Sequence, residues 1–201
     1  MNGVFVHAAA LVETEHVGEG TRIWAFAHVM KDVHIGANCN IGDHCFVETG
    51  ATIGNDVTLK NGNMIWAGVL LEDGVFVGPH VFFTNDLYPR SPRLPQARKR
   101  YGDSKWMLPT VVRRGATLGA GAVILAGHVI GEFSMVGAGA VVTKDVPGYA
   151  LVIGNAARVC GWVCQCGHPL EFHNGMATCC ECNLTLVKEG ESVKPTNPSL
   201  P

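Results

Sequence analysis

Charge is scarce in this chain. Acidic and basic residues fill 16% of its 201 positions, well below the roughly 25% of an average globular protein. A hydrophobic share of 47% excludes a disordered or coiled-coil chain. There is no imbalance of sign either. Fifteen Lys and Arg face seventeen Asp and Glu, for a net charge of −2, so neither nucleic acid nor an anionic membrane is an expected partner. Long apolar runs are also missing: no window approaches 18 uninterrupted apolar residues, and the start, MNGVFVHAAALVETE, lacks the basic segment of a secretory signal. The expectation is a cytoplasmic protein. In that reducing compartment the eight cysteines point to free core thiols or a metal site rather than disulfides. The length allows one large domain and a small appendage.

What is present is a period. An apolar residue recurs every six positions as Phe5, Leu11, Val17, Ile23, Val29, Ile35, Ile41, Val47, Ile53, Leu59, Ile65, Leu71, Val77 and Phe83. Chance would produce that unbroken register with odds of roughly 3 in 100,000, and an α-helix would not produce it. Four places after each comes a second inward position, mostly small or β-branched, including Ala9, Thr21, Cys39, Cys45 and Val57, with Glu15 and Asn63 as exceptions. Gly18, Gly36, Gly42, Gly54 and Gly78 follow the large residue directly, where a tight corner is expected to need backbone freedom. Each hexad therefore reads as a short strand plus a corner. The register resumes as Val112, Leu118, Ile124, Ile130, Val136 and Val142, so the expected fold is an all-β parallel solenoid, interrupted once.

The interruption, about residues 84–111, exceeds ordinary loop length and is expected to be functional. It holds Arg90, Arg93, Arg98, Lys99 and Arg100 with Tyr88, Tyr101 and Trp106, a mixture that can meet phosphates with guanidinium forks and a base or pantetheine with aromatic faces. A second departure begins near Cys160. Cys164-Gln-Cys166 is followed after twelve residues by Cys179-Cys-Glu-Cys182, a zinc-ribbon-like pattern in which two thiolate pairs converge on one structural zinc. The alternative is a metal-free knuckle with buried thiols; Cys160, Cys180 and His168 are substitute ligands. The domain reading is a β-helix over 1–158, a zinc-ribbon-like module over 159–190 and a flexible tail over 191–201.

The passages IWAFAHVM, EDGVFVGPHVFFTND and GAGAVVTKDVP, with the CQCG tail, resemble the hexapeptide-repeat acyltransferases, which wind as left-handed parallel β-helices of 18-residue coils and associate as homotrimers. Within them the chain resembles the nucleotide-sugar 3-N-acetyltransferases, in particular those acting on UDP-2-acetamido-3-amino-2,3-dideoxyglucuronate in lipopolysaccharide biosynthesis. The resemblance implies acetyl-CoA as co-substrate and a nucleotide sugar as acceptor. It places Asn85 where an asparagine holds the acceptor amine, an orientation role suited to an amide, and makes Thr84, Asp86, Tyr88, Arg90 and Glu72 candidate substrate contacts. The pattern's acidic residue is missing at Ala67, which leaves Asp86 or Glu72 to replace it, or a different substrate. His80 is the candidate for an optional base, while His128 falls in an inward slot and reads as core. The acetyl-CoA groove maps to the Ala120 and Ala138 corners, with Lys144 and Arg158 for the phosphates.

An amine is already a nucleophile, and the departing CoA thiolate can take its proton. Three rivals remain. An O-acetyltransferase on a sugar or serine would need a His base, a γ-class carbonic anhydrase would hold zinc with histidines such as His44 and His80 but lacks the third, and a non-catalytic solenoid would not need the long loop.

Overall fold

In the computed structural model, which describes residues 3–196, two-residue strands stack in register 18 residues apart, as in Ile41 on Leu59 and Val29 on Val47. Three parallel sheets result. The first runs from Phe5–Val6 through Arg22–Ile23 to Met135–Val136, the second from Leu11–Val12 to Val141–Val142, and the third from His34–Ile35 to Val129–Ile130. They form the faces of a left-handed triangular prism, and the periodic residues fill it. Ile23, Ile41, Leu59, Ile65, Leu118, Ile124 and Ile130 are fully buried, each worth about 1.5–3 kcal/mol of burial. Cys39 and Cys45 lie inward as expected. Burial pushes both thiols up, that of Cys45 to about 11.

The register differs from the sequence reading in the first coil. Phe5 and Leu11 face outward and Val6 and Val12 pair with Ile23 and Val29. The corner between Val12 and Val17 is one residue short, so the inward series shifts by one before it. Thr14, not Glu15, occupies the second inward slot, buried and donating its hydroxyl to the Val33 carbonyl at 2.8 Å. Asn63, the other apparent exception, is a satisfied core amide. Its Nδ2 donates to the Lys60 and Gly78 carbonyls (2.6 and 3.0 Å) and its Oδ1 accepts the Val81 N–H (2.9 Å).

The corner glycines also work differently from expectation. Gly36 has no left-handed φ; a Cβ there would stand 2.5 Å from the Gly54 carbonyl carbon of the next coil, so glycine allows coils to approach. The left-handed backbone is taken two residues later, by Asn38 and Asp56 at φ 56°.

Residues 84–109 form an arm containing one helical turn, Pro95–Arg98, and a 3₁₀ turn, Lys99–Gly102. Phe83 pairs with Ile124, 41 residues on instead of 18, so the arm adds 23 residues without disturbing the ladder. At the far end Ala150–Ile153 turns antiparallel into Arg158–Val163, and a small three-stranded sheet, Met176–Thr178, Thr185–Glu189 and Ser192–Pro195, follows. The last strand pairs with Thr185–Glu189 where a tail was expected from 191; residues 197–201 of that tail lie outside the described residues. Among the described residues no helix is long and apolar enough to cross a membrane.

Candidate acetyl-transfer site

The 18-residue repeat stacks side chains into columns at the corner between the second and third sheets. One column holds Met30, Glu48, Trp66 and Thr84; the next holds Thr49, Ala67 and Asn85. The arm returns over them with Trp106 and Met107. These residues enclose a cleft of ≈ 500 Å³ whose lining contains both Asn85 and Glu48. Asn85 is half-buried, its Nδ2 3.5 Å from the Ala67 carbonyl, and its own carbonyl accepts the Leu108 N–H at 3.0 Å, which ties the two ends of the arm together. Glu48 reaches up one coil so that Oε2 accepts the Ala67 N–H at 2.8 Å. Trp66 packs against Phe46 with ring centroids 5.6 Å apart.

Glu48 is the residue that sequence reasoning missed. The resemblance puts an acid at position 67 itself, whereas the carboxylate in this cleft comes from the coil below, and only the 18-residue column, read downward from Ala67, points to it. The two acids proposed as replacements are committed elsewhere. Asp86 receives Arg100 Nη2, the Tyr101 hydroxyl (2.8 Å) and the Tyr88 N–H (2.8 Å). Burial raises its pKa, but those hydrogen bonds and the Arg100 charge outweigh it and hold the carboxyl below its usual range. It organises the arm. Glu72 pairs with Arg113 Nη1 (2.6 Å) and accepts the Arg114 N–H (3.0 Å) at the corner between the third and first sheets.

The other expected site residues scatter in an instructive way. Thr84 is structural: its hydroxyl accepts the Ala126 N–H at 2.9 Å. Tyr88 and Arg90 are exposed on the arm, with the Arg90 N–H donated to the Tyr101 hydroxyl at 3.0 Å. His80 is exposed at the corner between the first and second sheets, in left-handed conformation (φ 53°) with its ring over Gly62. Within one chain the second sheet therefore separates it from Asn85. His44 occupies that same corner two coils earlier and stacks on Phe26 (4.9 Å). His128 sits in its inward slot but is a quarter exposed, 3.4 Å from Asp145, because the corner opens beside the arm. It is not core.

Ala120 and Ala138 lie next to each other in adjacent coils at the His80 corner, both exposed. Among the described residues neither N–H is spent on a hydrogen bond, which leaves both for an amide carbonyl. Lys144 is exposed in the Asn85 column, two coils further on. Arg158 is exposed on the first strand of the cap, its guanidinium turned to the Ala157 carbonyl.

Two segments match family descriptions: residues 16–49 match the bacterial transferase hexapeptide (six repeats), and residues 109–144 the hexapeptide repeat of succinyl-transferase. Over 87% of its length the chain is 53% identical to 86% of the dTDP-3-amino-3,6-dideoxy-α-D-galactopyranose 3-N-acetyltransferase of Aneurinibacillus thermoaerophilus. A galactoside O-acetyltransferase of Lactococcus lactis is 33% identical over 45% of this chain and 44% of that protein. Among solved structures, the acetyltransferase domain of PglB from Neisseria gonorrhoeae in complex with acetyl coenzyme A is 18% identical, covering 79% of this chain and 55% of that one with a TM-score of 0.47.

Proposed function

The chain belongs to the hexapeptide-repeat transferases and, within them, to the family of the nucleotide-sugar 3-N-acetyltransferases, and from that membership we propose that it transfers acetyl from acetyl-CoA to the 3-amino group of a dTDP-linked 3-amino-3,6-dideoxyhexose. The observation that carries this reading is the convergence of Asn85 and Glu48 in one cleft whose lining holds no histidine. Such a cleft offers a charged and a neutral acceptor to the N–H groups of an ammonium, and no imidazole of its own chain to serve an alcohol. A 6-deoxy sugar in place of the UDP-linked uronate agrees with the 53% identical relative, whose name carries that sugar.

In this reading Glu48 receives the sugar ammonium and takes its first proton. The Asn85 side-chain oxygen, Oδ1, then accepts an N–H bond and aims the nitrogen lone pair at the thioester carbonyl, catalysis by orientation. The C–N bond forms, the tetrahedral intermediate collapses with cleavage of the C–S bond, and the CoA thiolate leaves with the second proton from nitrogen. Trp66 and Trp106 supply flat faces for the sugar and the base.

A homotrimer completes the site. The outer row of the second sheet is apolar apart from His28, with Leu11 53%, Met64 37% and Phe82 53% exposed beside half-buried Phe46, Val123 and Val141. Packing that face around a three-fold axis sets the His80, Ala120 and Ala138 corner of one subunit against the Asn85 corner of the next. The two alanine N–H groups then line a pantetheine groove that ends at Asn85, with Lys144 near the phosphates. His80 reaches the amine only from a neighbouring subunit. Free thiols and a freely diffusing thioester suit a cytoplasmic reaction.

The test is incubation with acetyl-CoA and a panel of dTDP- and UDP-linked 3-amino sugars and their 3-hydroxy analogues, with CoA and acetylated sugar followed by chromatography and mass spectrometry. Turnover is expected with the dTDP 3-amino sugar alone, and Asn85→Ala should lower kcat/KM by about 30-fold, near 2 kcal/mol of lost orientation and hydrogen bonding. Equal turnover of the 3-hydroxy sugars, or none with any amine, would overturn the assignment.

A further inference from the structure

Away from the acetyl-transfer cleft, the cap carries a second chemical centre. The Sγ atoms of Cys164, Cys166, Cys179 and Cys182 all lie within 4.8 Å of one another. The nearest pairs join the two knuckles crosswise, Cys164 to Cys182 at 3.4 Å and Cys166 to Cys179 at 3.5 Å. A zinc–sulfur bond of about 2.3 Å in tetrahedral geometry gives an S–S edge of about 3.8 Å, so these sulfurs already stand near the vertices of one coordination shell. We propose that these four cysteines bind one zinc ion as a closed, structural centre that ties the two knuckles of the cap together.

Three further features fit this assignment. Each knuckle closes through a left-handed residue directly after its second cysteine, Gly167 (φ 88°) and Asn183 (φ 60°), which turns the chain so that both thiols of a pair face the same point. Backbone N–H groups point at the sulfurs, that of Cys166 at Cys164 and those of Glu181 and Cys182 at Cys179, which is how thiolate charge is compensated around a soft cation. The cap also lacks the means to hold itself. Its own core amounts to Tyr149, Cys164, Leu170, Ala177, Cys179, Leu186 and Val193, two of them ligands, and a module this small needs a staple.

The substitutes considered from sequence do not join the shell. Cys160 lies on Arg158–Val163 with its sulfur toward the Leu151 carbonyl, and Cys180 is exposed outside the cluster. His168 stands behind it, Nδ1 3.7 Å from the Cys166 sulfur and Nε2 3.6 Å from Glu181, the place of a group that orients a ligand rather than a ligand itself. Four thiolates leave no open position, so the ion would not do chemistry. The knuckles face the corner of Asp73 and Arg114, across a cleft of ≈ 1050 Å³, on a different edge of the prism from Asn85.

The experiment is metal analysis of the full-length protein isolated under reducing conditions with zinc in the medium, together with Cys182→Ser, an exposed ligand, and Cys180→Ser. The expected result is about one zinc per chain in the native protein and Cys180→Ser, and less than about a tenth in Cys182→Ser, with a lower melting temperature for the latter. Mercurial titration of the thiols should release the ion, and cobalt substituted for it should show the visible bands of a tetrahedral thiolate complex. If Cys182→Ser is insoluble, the cobalt spectrum of the native protein decides alone. Native protein without zinc that takes up no thiolate-bound cobalt, or zinc retained in Cys182→Ser, would overturn the proposal.

Discussion

Replacing Glu48 by glutamine isolates the one charge that the proposed reading sets against the acceptor amine. Glutamine has nearly the same volume, and its side-chain oxygen can still accept the Ala67 N–H that Glu48 Oε2 takes at 2.8 Å, so the cleft keeps its shape. What disappears is the ionised acceptor. A hydrogen bond to a charged group is worth about 1.5–3 kcal/mol against roughly 0.5–1.5 for a neutral one. The difference, near 1.5 kcal/mol, predicts about a tenfold loss in kcat/KM for the amino sugar. The change should appear in the sugar kinetics, with KM for acetyl-CoA held, because the thioester does not touch Glu48 in the proposed arrangement. Glu48→Ala gives up the Ala67 bond as well, which adds roughly 1 kcal/mol and brings the loss to about 50- to 100-fold. CoA release is best read by chromatography, since Cys160 and Cys180 are exposed thiols that consume colorimetric reagents. A folded Glu48→Gln protein within about twofold of native kcat/KM would refute the role of that carboxylate.

Two other expectations concern the scaffold. Asn63→Leu strands the Gly78 carbonyl and the Val81 N–H inside the prism and leaves the Lys60 carbonyl with the Cys45 thiol alone, and at about 1 kcal/mol or more for each stranded group it should destabilise by roughly 2 kcal/mol in urea unfolding; a change under about 0.5 would show that the amide is dispensable. The pKa of Asp86 is lower in the folded arm than in the unfolded chain, so the stability it contributes is present above the unfolded value, near 3.9, and is lost as pH falls through the depressed folded value. Limited proteolysis between Tyr88 and Trp106 should therefore stay flat from neutral pH to about 4 and rise below it. Asp86→Asn should show the acid pattern already at neutral pH. An unchanged digest in that variant would remove Asp86 from its place at the centre of the arm.

Much of the architecture is legible from the residues because a solenoid repeats one local rule. Ile41, Leu59 and Ile130 sit where the six-residue count puts them, and the return of the count at Val112 marks where the arm ends. The count fails where a corner loses one residue, between Val12 and Val17, since nothing local distinguishes Leu11 from Val12 as the inward partner. The site is harder to read for a related reason. Its residues share a column, not a neighbourhood in sequence, and Glu48 meets Asn85 only through a coil that carries alanine at position 67. Asp86 reads as available in the sequence because the arm that engages it, with Arg100 and Tyr101 fourteen and fifteen residues on, follows no period at all.

The way the arm leaves and rejoins the ladder has a consequence for what the solenoid can carry. Thr84 and Thr110 anchor the insertion on hydrogen-bonded positions, and Phe83 still finds Ile124 as though nothing intervened. The 23 extra residues behave as a cassette: they stand outside the ladder, and the rungs on either side pair across them. A chimera carrying a foreign arm should keep the pairing of the rungs, while its cleft would still be walled on one side by Glu48 and Trp66 of the solenoid.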